Sequence, residues 1–149
     1  QKENARRYQL PQALIAGITW QESMYKADIR SVSGARGLMQ LMPRTATYIA
    51  PKAGLAGLSL SQLDQPRINI RLGSYYLREQ ANRTGGNIMK MAASYNGGPN
   101  AVARWEKAFG SIDDDVFVER IPYAETRRYA KQVTMHTRVY SQIYGEKQE

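Results

Sequence analysis

One glutamate, Glu22, falls on the apolar face of a predicted helix. The helix signal begins at Pro11, because proline suits the first turn of a helix. Apolar side chains then follow at steps of three and four residues: Leu14, Ile15, Ile18 and Tyr25. Glu22 lies four residues after Ile18 and three before Tyr25, so it shares their face. A carboxyl group among apolar side chains resists ionisation, and its pKa therefore rises.

A carboxyl group that keeps its proton near neutral pH is what general acid catalysis requires. The same spacing also fits a buried structural glutamate held by a backbone or tyrosine hydrogen bond. Perturbed carboxyl groups cluster at active sites but are not confined to them. The position of Glu22 on the helix therefore leaves both interpretations open.

A glycine-rich segment follows the predicted helix and resembles a binding loop. Gly34 and Gly37 permit a close approach or a positive φ, and the segment ends where Pro43 starts another helix. Gln40 and Ser31 offer uncharged donors and acceptors, which suit the hydroxyl and amide groups of a sugar. A nucleic-acid site would bring several Arg or Lys residues into these loops, and only Arg36 is present. The segment therefore favours carbohydrate over nucleic acid.

Two further places carry candidate residues. Tyr95 and Asn96 come immediately before a Gly-Gly-Pro break, where a side chain can project into a cleft. Glu125 extends by one turn the predicted apolar stripe of the last helix, which consists of Tyr129, Val133, His136, Tyr140 and Ile143. For Glu125 we favour a structural acid paired with Arg127, Arg128 or a tyrosine. His136 is expected to be a core residue.

The elements that position these residues are all predicted to be helices. Short helices are expected from Pro43 to Ile49 and from Asp113 to Val118. Longer ones should run from Pro66 to Gly85, from Ile88 to Tyr95, over Val102 to Phe109, and from Pro122 to Tyr144. Alternating strand patterns are nearly absent. The sequence predicts one all-α domain over residues 1–149.

Composition narrows the possible chemistry. The chain has no cysteine and one histidine, which excludes disulfides, thiolate metal sites and a histidine metal cluster, and we expect neither a metal nor a cofactor. The net charge of +8 attracts polyanions, such as nucleic acid, anionic lipid or an acidic cell-wall polymer. No apolar run approaches the roughly 20 residues that span a bilayer. The start shows neither an initiator Met nor a secretory signal, so a mature or excised fragment is expected.

Four motifs together resemble the soluble lytic murein transglycosylases, in particular the C-terminal catalytic domain of the large periplasmic enzymes. They are Glu22-Ser23, the run Gly34-Ala35-Arg36-Gly37-Leu38-Met39-Gln40-Leu41-Met42-Pro43, the run Ala93-Ser94-Tyr95-Asn96-Gly97-Gly98-Pro99, and the run Ile121-Pro122-Tyr123-Ala124-Glu125-Thr126-Arg127. They occur in the family's order, and the likeness extends from about Pro11 to Tyr144. Departures are Lys26-Ala27, where the family often has Asn-Pro, and Gly97, where it often has Ala.

The resemblance implies a goose-type lysozyme-like fold with a saccharide groove and a periplasmic location. It assigns the catalytic acid to Glu22 and substrate contacts to Ser31, Gln40, Met42, Tyr95, Asn96, Glu125 and Tyr129. Within these, Tyr95 is the candidate to hydrogen-bond Glu22 or the substrate's acetamido group. Glu125 would organise the groove wall, acting through Tyr129 or the first helix.

The activity implied is cleavage of the bond between N-acetylmuramic acid and N-acetylglucosamine without water, which forms a 1,6-anhydromuramoyl end. Peptidoglycan strands are then the partner, with cell-envelope proteins or upstream domains as further candidates and nucleic acid not expected. Two alternatives stay open: a hydrolytic lysozyme on the same fold, and a non-catalytic peptidoglycan-binding module.

Overall fold

The computed structural model describes residues 1–147, and their regular structure is helical. The helices are α1 (Lys2–Tyr8), α2 (Gln12–Ser23), α3 (Pro43–Ile49), α4 (Pro66–Thr84), α5 (Ile88–Gly97), α6 (Pro99–Phe109), α7 (Asp114–Glu119) and α8 (Ala124–Tyr144), with a 3₁₀ helix over Leu60–Asp64. Within this range β pairing is limited to two isolated bridges, which join Arg36 to Arg30 and to Leu41. The predicted all-α fold is confirmed.

Most helix boundaries follow from local chemistry that the sequence displays. Pro43, Pro66 and Pro99 each occupy the first turn of a helix, where the missing N–H costs nothing. α4 ends at Gly85, whose φ of 68° lies in the left-handed region that closes helices. The starts at Pro43 and Pro66 and the end at Gly85 confirm the prediction, whereas α6 begins at Pro99 rather than at Val102, α8 begins two residues after Pro122, and α1 and the 3₁₀ helix are not predicted.

The position predicted for Tyr25 on the second helix is wrong. α2 ends at Ser23, and the next two residues, Met24 and Tyr25, adopt positive φ angles of 48° and 62°. The chain therefore reverses direction at once, and the side chain of Tyr25 is 40% exposed. Its hydroxyl accepts a hydrogen bond of 2.8 Å from Nε2 of Gln1. Glu22 thus lies in the last turn of α2 rather than in its middle.

α2 runs through the centre of the molecule and packs closely against α8. All side chains from Ala13 to Ile18 that have a Cβ are fully buried. At Gly17 an added Cβ would lie 2.9 Å from Oγ1 and 3.1 Å from the backbone N of Thr137. The first turn of α2 is also joined to the end of the chain, because the carboxylate of Glu146 accepts hydrogen bonds from the backbone N–H groups of Gln12 (2.9 Å) and Ala13 (3.1 Å). α8 therefore holds α2 along its length.

The apolar stripe predicted for α8 is only partly correct. Ile143 is 67% exposed, and His136 and Tyr140 are half-buried, so His136 is not a core residue. The buried positions are Thr126, Tyr129, Ala130, Val133, Thr137 and Ser141. The close crossing with α2 explains the difference, since small polar residues such as Thr137 fit against Gly17 where a larger side chain would not.

Candidate active site

Glu22 is half-buried at the end of α2, and its carboxyl group is held by a tyrosine of α8. The hydroxyl of Tyr129 donates a 2.8 Å hydrogen bond to Oε1 of Glu22. The pKa of Glu22 is raised from 4.5 to about 7; burial is the main cause, the Tyr129 hydrogen bond opposes the rise, and the charge of Glu125 adds to it. The predicted general acid is thus protonated in a substantial fraction of molecules at neutral pH.

Tyr129 remains a neutral hydrogen-bond donor throughout the physiological pH range. It is 5% exposed, and burial together with the nearby charge of Glu22 raises its pKa well above the ordinary value. A donor to one oxygen leaves the other carboxyl oxygen of Glu22 free to carry the proton. The bond therefore orients the acid.

A cavity of about 200 Å³ lies in front of Glu22, between α2, α5 and α8. Its lining consists of Gln21, Glu22, Asn96, Glu125, Arg128, Tyr129 and Gln132. Four of the residues predicted for the site come together here: Glu22, Asn96, Glu125 and Tyr129. A larger cavity, of about 760 Å³, lies near the start of α2 and the end of α8, and its lining shares no residue with that of the cavity at Glu22.

Glu125 does not form the pair with Arg127 or Arg128 that the sequence favours among its possible partners. Its side chain is exposed at the mouth of the cavity, and no salt bridge of the described residues includes it. The guanidinium of Arg127 instead donates to the carbonyl of Ile121 at 2.8 Å. The buried position in this turn of α8 belongs to Thr126, which turns Glu125 toward the cavity.

Thr126 also fixes the orientation of Asn96. Its hydroxyl donates to Oδ1 of Asn96 at 2.7 Å, so the amide nitrogen of Asn96 faces Oε1 of Glu125 at 3.5 Å. Gly97 makes this contact possible, since an added Cβ would lie 2.8 Å from Oγ1 of Thr126. The cavity wall opposite Glu22 thus presents an oriented amide and a carboxylate.

Tyr95 does not hydrogen-bond Glu22, contrary to one of the two roles predicted for it. The side chain is buried at the end of α5, and its hydroxyl donates to the carbonyl of Met39 at 2.8 Å. The tyrosine that bonds Glu22 is Tyr129. Tyr95 joins α5 to the glycine-rich segment, and a contact with the acetamido group stays a prediction.

The other predicted contacts lie in the glycine-rich segment, outside the lining of the cavity at Glu22. Ser31 is exposed, and its Oγ accepts from the backbone N of Ala35 at 2.9 Å. Gln40 has a φ of 50°, and its Nε2 donates to the carbonyls of Ile29 (3.1 Å) and Gly37 (2.9 Å). Its Oε1 is the group left for a ligand. Met42 is 40% exposed, and the substrate contacts of Ser31, Gln40 and Met42 stay predictions.

A buried asparagine that we did not predict fastens this segment to α4. Oδ1 of Asn69 accepts from the N–H of Met39 at 2.7 Å, and Nδ2 donates to the carbonyls of Arg36 and Leu63, both at 2.9 Å. A Cβ at Gly37 would lie 2.2 Å from Nδ2 of Asn69, so this approach requires glycine. The sequence does carry a signal, because Asn69 is a polar residue between the apolar positions Ile68 and Leu72 of α4.

A protein-family comparison matches residues 1–118 to the family described as transglycosylase SLT domain. The chain belongs to this family. It is 38% identical over 141 residues to the soluble lytic murein transglycosylase of Escherichia coli strain K12, a match that spans 93% of this chain and 22% of that protein. A putative soluble lytic murein transglycosylase of Haemophilus influenzae is 38% identical over 132 residues, spanning 88% of this chain and 22% of that protein.

Solved structures of lytic transglycosylases share the fold of this SLT domain. An inactive glutamate-to-glutamine mutant of Slt from Pseudomonas aeruginosa superposes with a TM-score of 0.93 and 39% identity, covering 98% of this chain and 24% of that one. The 70 kDa soluble lytic transglycosylase of Escherichia coli gives a TM-score of 0.90 and 37% identity, covering 99% and 25%. The chain thus spans about a quarter of these proteins, and the predicted lysozyme-like fold is confirmed.

Within residues 1–147 the SLT domain contains no group of three or more His, Cys, Asp or Glu side chains placed to hold a metal ion. None of the helices in this range has the length and apolarity needed to cross a membrane. What the cavity offers is proton transfer: a half-buried acid with a pKa of about 7, a tyrosine that orients it, and an exposed second acid. Carboxyl groups in such different environments are typical of sites that cleave glycosidic bonds.

Proposed function

We propose that this chain is the catalytic domain of a lytic transglycosylase, which cleaves the β-1,4 bond between N-acetylmuramic acid and N-acetylglucosamine in peptidoglycan. The observation that carries the proposal is the state of Glu22, whose pKa of about 7 lets it give and take a proton at neutral pH. Family membership supports the substrate class, since the similar proteins are named lytic murein transglycosylases. The periplasm, where this polymer lies, is the proposed location.

In the proposed reaction, Glu22 first acts as a general acid. It gives its proton to the glycosidic oxygen, the bond from C1 to that oxygen breaks, and N-acetylglucosamine leaves with the proton. The substrate's 2-acetamido group stabilises the positive charge that develops at C1. Glu22 becomes negatively charged when it gives up the proton. The hydroxyl of Tyr129, which already donates to Oε1, stabilises this new carboxylate.

Glu22 then acts as a general base in the second step. The carboxylate takes the proton from the C6 hydroxyl of the muramic residue, and the C6 oxygen forms a bond to C1. This step restores the acid and produces the 1,6-anhydro ring, so no water is consumed. A group whose pKa lies near the working pH serves both directions of proton transfer. One carboxyl group is therefore sufficient.

The remaining contacts are proposed for the two sides of the groove. Asn96 and Glu125 line the cavity at Glu22, and Thr126 orients the Asn96 amide toward it. Ser31, Gln40 and Met42, with Tyr95 behind them, would contact the strand beside the glycine-rich segment. We propose that the chain acts as a single domain of a longer protein, since it spans 22% of the Escherichia coli relative.

Hydrolysis is the second candidate, because Glu125 is an exposed carboxylate in the same cavity as Glu22. An inverting glycosidase needs such a second carboxylate to activate water. In that case Glu125 would be the base, and the product would carry a reducing end.

Mass spectrometry of muropeptides released from purified peptidoglycan tests the proposal. The wild-type chain is expected to release products one water lighter than hydrolytic muropeptides, and Glu22→Gln should release none while still binding glycan. Glu125→Gln is the matched control, since it changes the other acid of the cavity in the same way. Full-mass reducing products would establish hydrolysis instead. Turnover by Glu22→Gln at the wild-type rate would refute the role of Glu22, and binding without products from any variant would leave a binding module.

A further inference from the structure

A row of three hydrogen-bonded side chains runs along the α8 side of the cavity at Glu22. Nε2 of His136 lies 3.0 Å from Oε1 of Gln21, and Nε2 of Gln21 donates to Oε1 of Gln132 at 2.8 Å. Gln21 and Gln132 both line the cavity, whereas His136 stands behind them. None of these three residues belongs to the four motifs that carry the proposed function, although Gln21 directly precedes Glu22.

The row has a fixed direction. Oε1 of Gln21 is an acceptor, so His136 must be the donor and carry its proton on Nε2. The amide nitrogen of Gln21 donates to Oε1 of Gln132, so the side-chain oxygen of Gln132 already accepts a hydrogen bond within the protein. Within residues 1–147 the Nε2 group of Gln132 has no partner. The row therefore leaves Gln132 with N–H groups available to a ligand in the cavity.

Arg128 stands one helical turn before Gln132 and lines the same cavity. Residues four apart on a helix are neighbours on one face. The side chain is exposed, and none of the salt bridges among the described residues includes Arg128. It is also the only positively charged residue in the lining. Arg128 and Gln132 thus place two donors, one of them cationic, in a lining that also holds the carboxyl groups of Glu22 and Glu125.

We propose that Arg128 and Gln132 bind a carboxylate on the acidic substituent of the glycan strand, and that His136 positions Gln132 for this contact through Gln21. The inference rests on the proposed function, which supplies a strand whose muramic residues carry lactyl and peptide groups. A guanidinium and an amide N–H are matched donors for carboxylate oxygens. The site thereby selects strands that carry an acid close to the bond that Glu22 cleaves.

Binding measured without turnover tests this inference separately from the proposed reaction. Glu22→Gln is the background, and calorimetry compares its binding of soluble glycan fragments that keep their stem peptides with fragments stripped to the free lactyl group. In this background, Arg128→Gln is expected to weaken binding about fivefold for the fragment class whose carboxylate it contacts, as exposed charge pairs allow. An effect confined to one class identifies the carboxylate as peptide or lactyl.

Two variants complete the test. Arg83→Gln removes an equal charge from an exposed position in the last turn of α4, away from the cavity, and should leave binding unchanged. Gln132→Glu keeps an acceptor for Gln21 but replaces the outward N–H groups by a carboxylate oxygen, so it should weaken binding at least as much as Arg128→Gln. If both arginine variants have the same effect, or if Gln132→Glu has none, the inference is wrong even where anhydro products form.

The positioning role of His136 has its own readout. His136→Leu removes the donor to Gln21 and should raise KM of the otherwise wild-type chain about as much as Gln132→Glu, with kcat unchanged. His136→Gln keeps an N–H donor and should restore KM in part. A fall in kcat alone, or equal KM values for the two His136 variants, would contradict the row of donors.

Discussion

Replacing Glu22 by glutamine is expected to stabilise the folded chain at alkaline pH while it abolishes cleavage. The pKa of Glu22 is about 7 in the folded chain against an ordinary value of 4.5. One pKa unit corresponds to about 1.4 kcal/mol, so ionising Glu22 lowers the free energy of unfolding by about 3 kcal/mol in total. Glutamine has no charge to bury, and its oxygen can still accept the Tyr129 hydrogen bond.

The sign follows from proton binding. Between pH 4.5 and about 7 the folded chain holds the Glu22 proton and the unfolded chain does not, so the free energy of unfolding falls as the pH rises through this window. Below pH 4.5 both states are protonated, and the variant and the wild type should differ little in this respect. Above pH 8 the variant should be more stable by about 3 kcal/mol, or roughly 8 °C in Tm for a chain of this size.

Urea unfolding at pH 4, 6 and 8, monitored by circular dichroism, measures the effect. The relevant quantity is the difference between Glu22→Gln and the wild type, because other groups that titrate here, such as His136, cancel in it. Glu125→Gln is the control, since its carboxyl group is exposed and its replacement relieves much less burial. A stability difference that does not change between pH 4 and pH 8 would refute the raised pKa and with it the role of Glu22 as a neutral-pH acid.

Three more outcomes are expected. The alkaline limb of kcat/KM should lie near the pKa of Glu22, about 7. It should move to higher pH in Tyr129→Phe, which removes a hydrogen bond to the carboxylate, and to lower pH in Glu125→Gln, which removes a negative charge. Shifts of both variants in the same direction would contradict this prediction. Gly17→Ala should lower the free energy of unfolding by about 1 to 3 kcal/mol, since its Cβ meets the backbone of α8, and urea unfolding would expose the error if alanine stabilised the chain. Asn69→Ala should cost roughly 3 kcal/mol in the same assay by leaving three backbone groups unpaired, and a loss below about 0.5 kcal/mol would be incompatible with its contacts.

The parts of the fold that could be predicted are those with local causes. Pro43 and Gly85 set helix ends through their own backbone preferences, so the sequence displays these boundaries directly. The helical phase of Glu22 was likewise sufficient to predict a perturbed acid. The reversal after Ser23 could not be predicted, because Met24 and Tyr25 adopt left-handed backbone angles that residues other than glycine seldom adopt.

The parts of the site that could not be predicted depend on contacts between distant segments. The sequence makes Tyr95 the candidate to hydrogen-bond Glu22 or the substrate's acetamido group, whereas the crossing of α2 and α8 brings Tyr129 to Glu22. The orientation of Glu125 depends on the packing of α8 against α5, because Thr126 takes the buried position against Asn96 and Gly97. Helical periodicity alone fixes a face to within about one residue, and here one residue separates a core position from the cavity mouth.

The pairing of α2 with α8 has a consequence for the order in which the chain is made. Glu22 and Tyr129 are 107 residues apart, and the Glu146 carboxylate that caps α2 lies 134 residues after Gln12. At the usual speed of translation, roughly 5 to 20 seconds separate the synthesis of the acid from that of its tyrosine. During this time Glu22 has the pKa of an ordinary glutamate, 4.5, and cannot serve as a proton donor at neutral pH. The growing chain thus carries its proposed catalytic acid in a form that is ionised at neutral pH until α8 packs against α2.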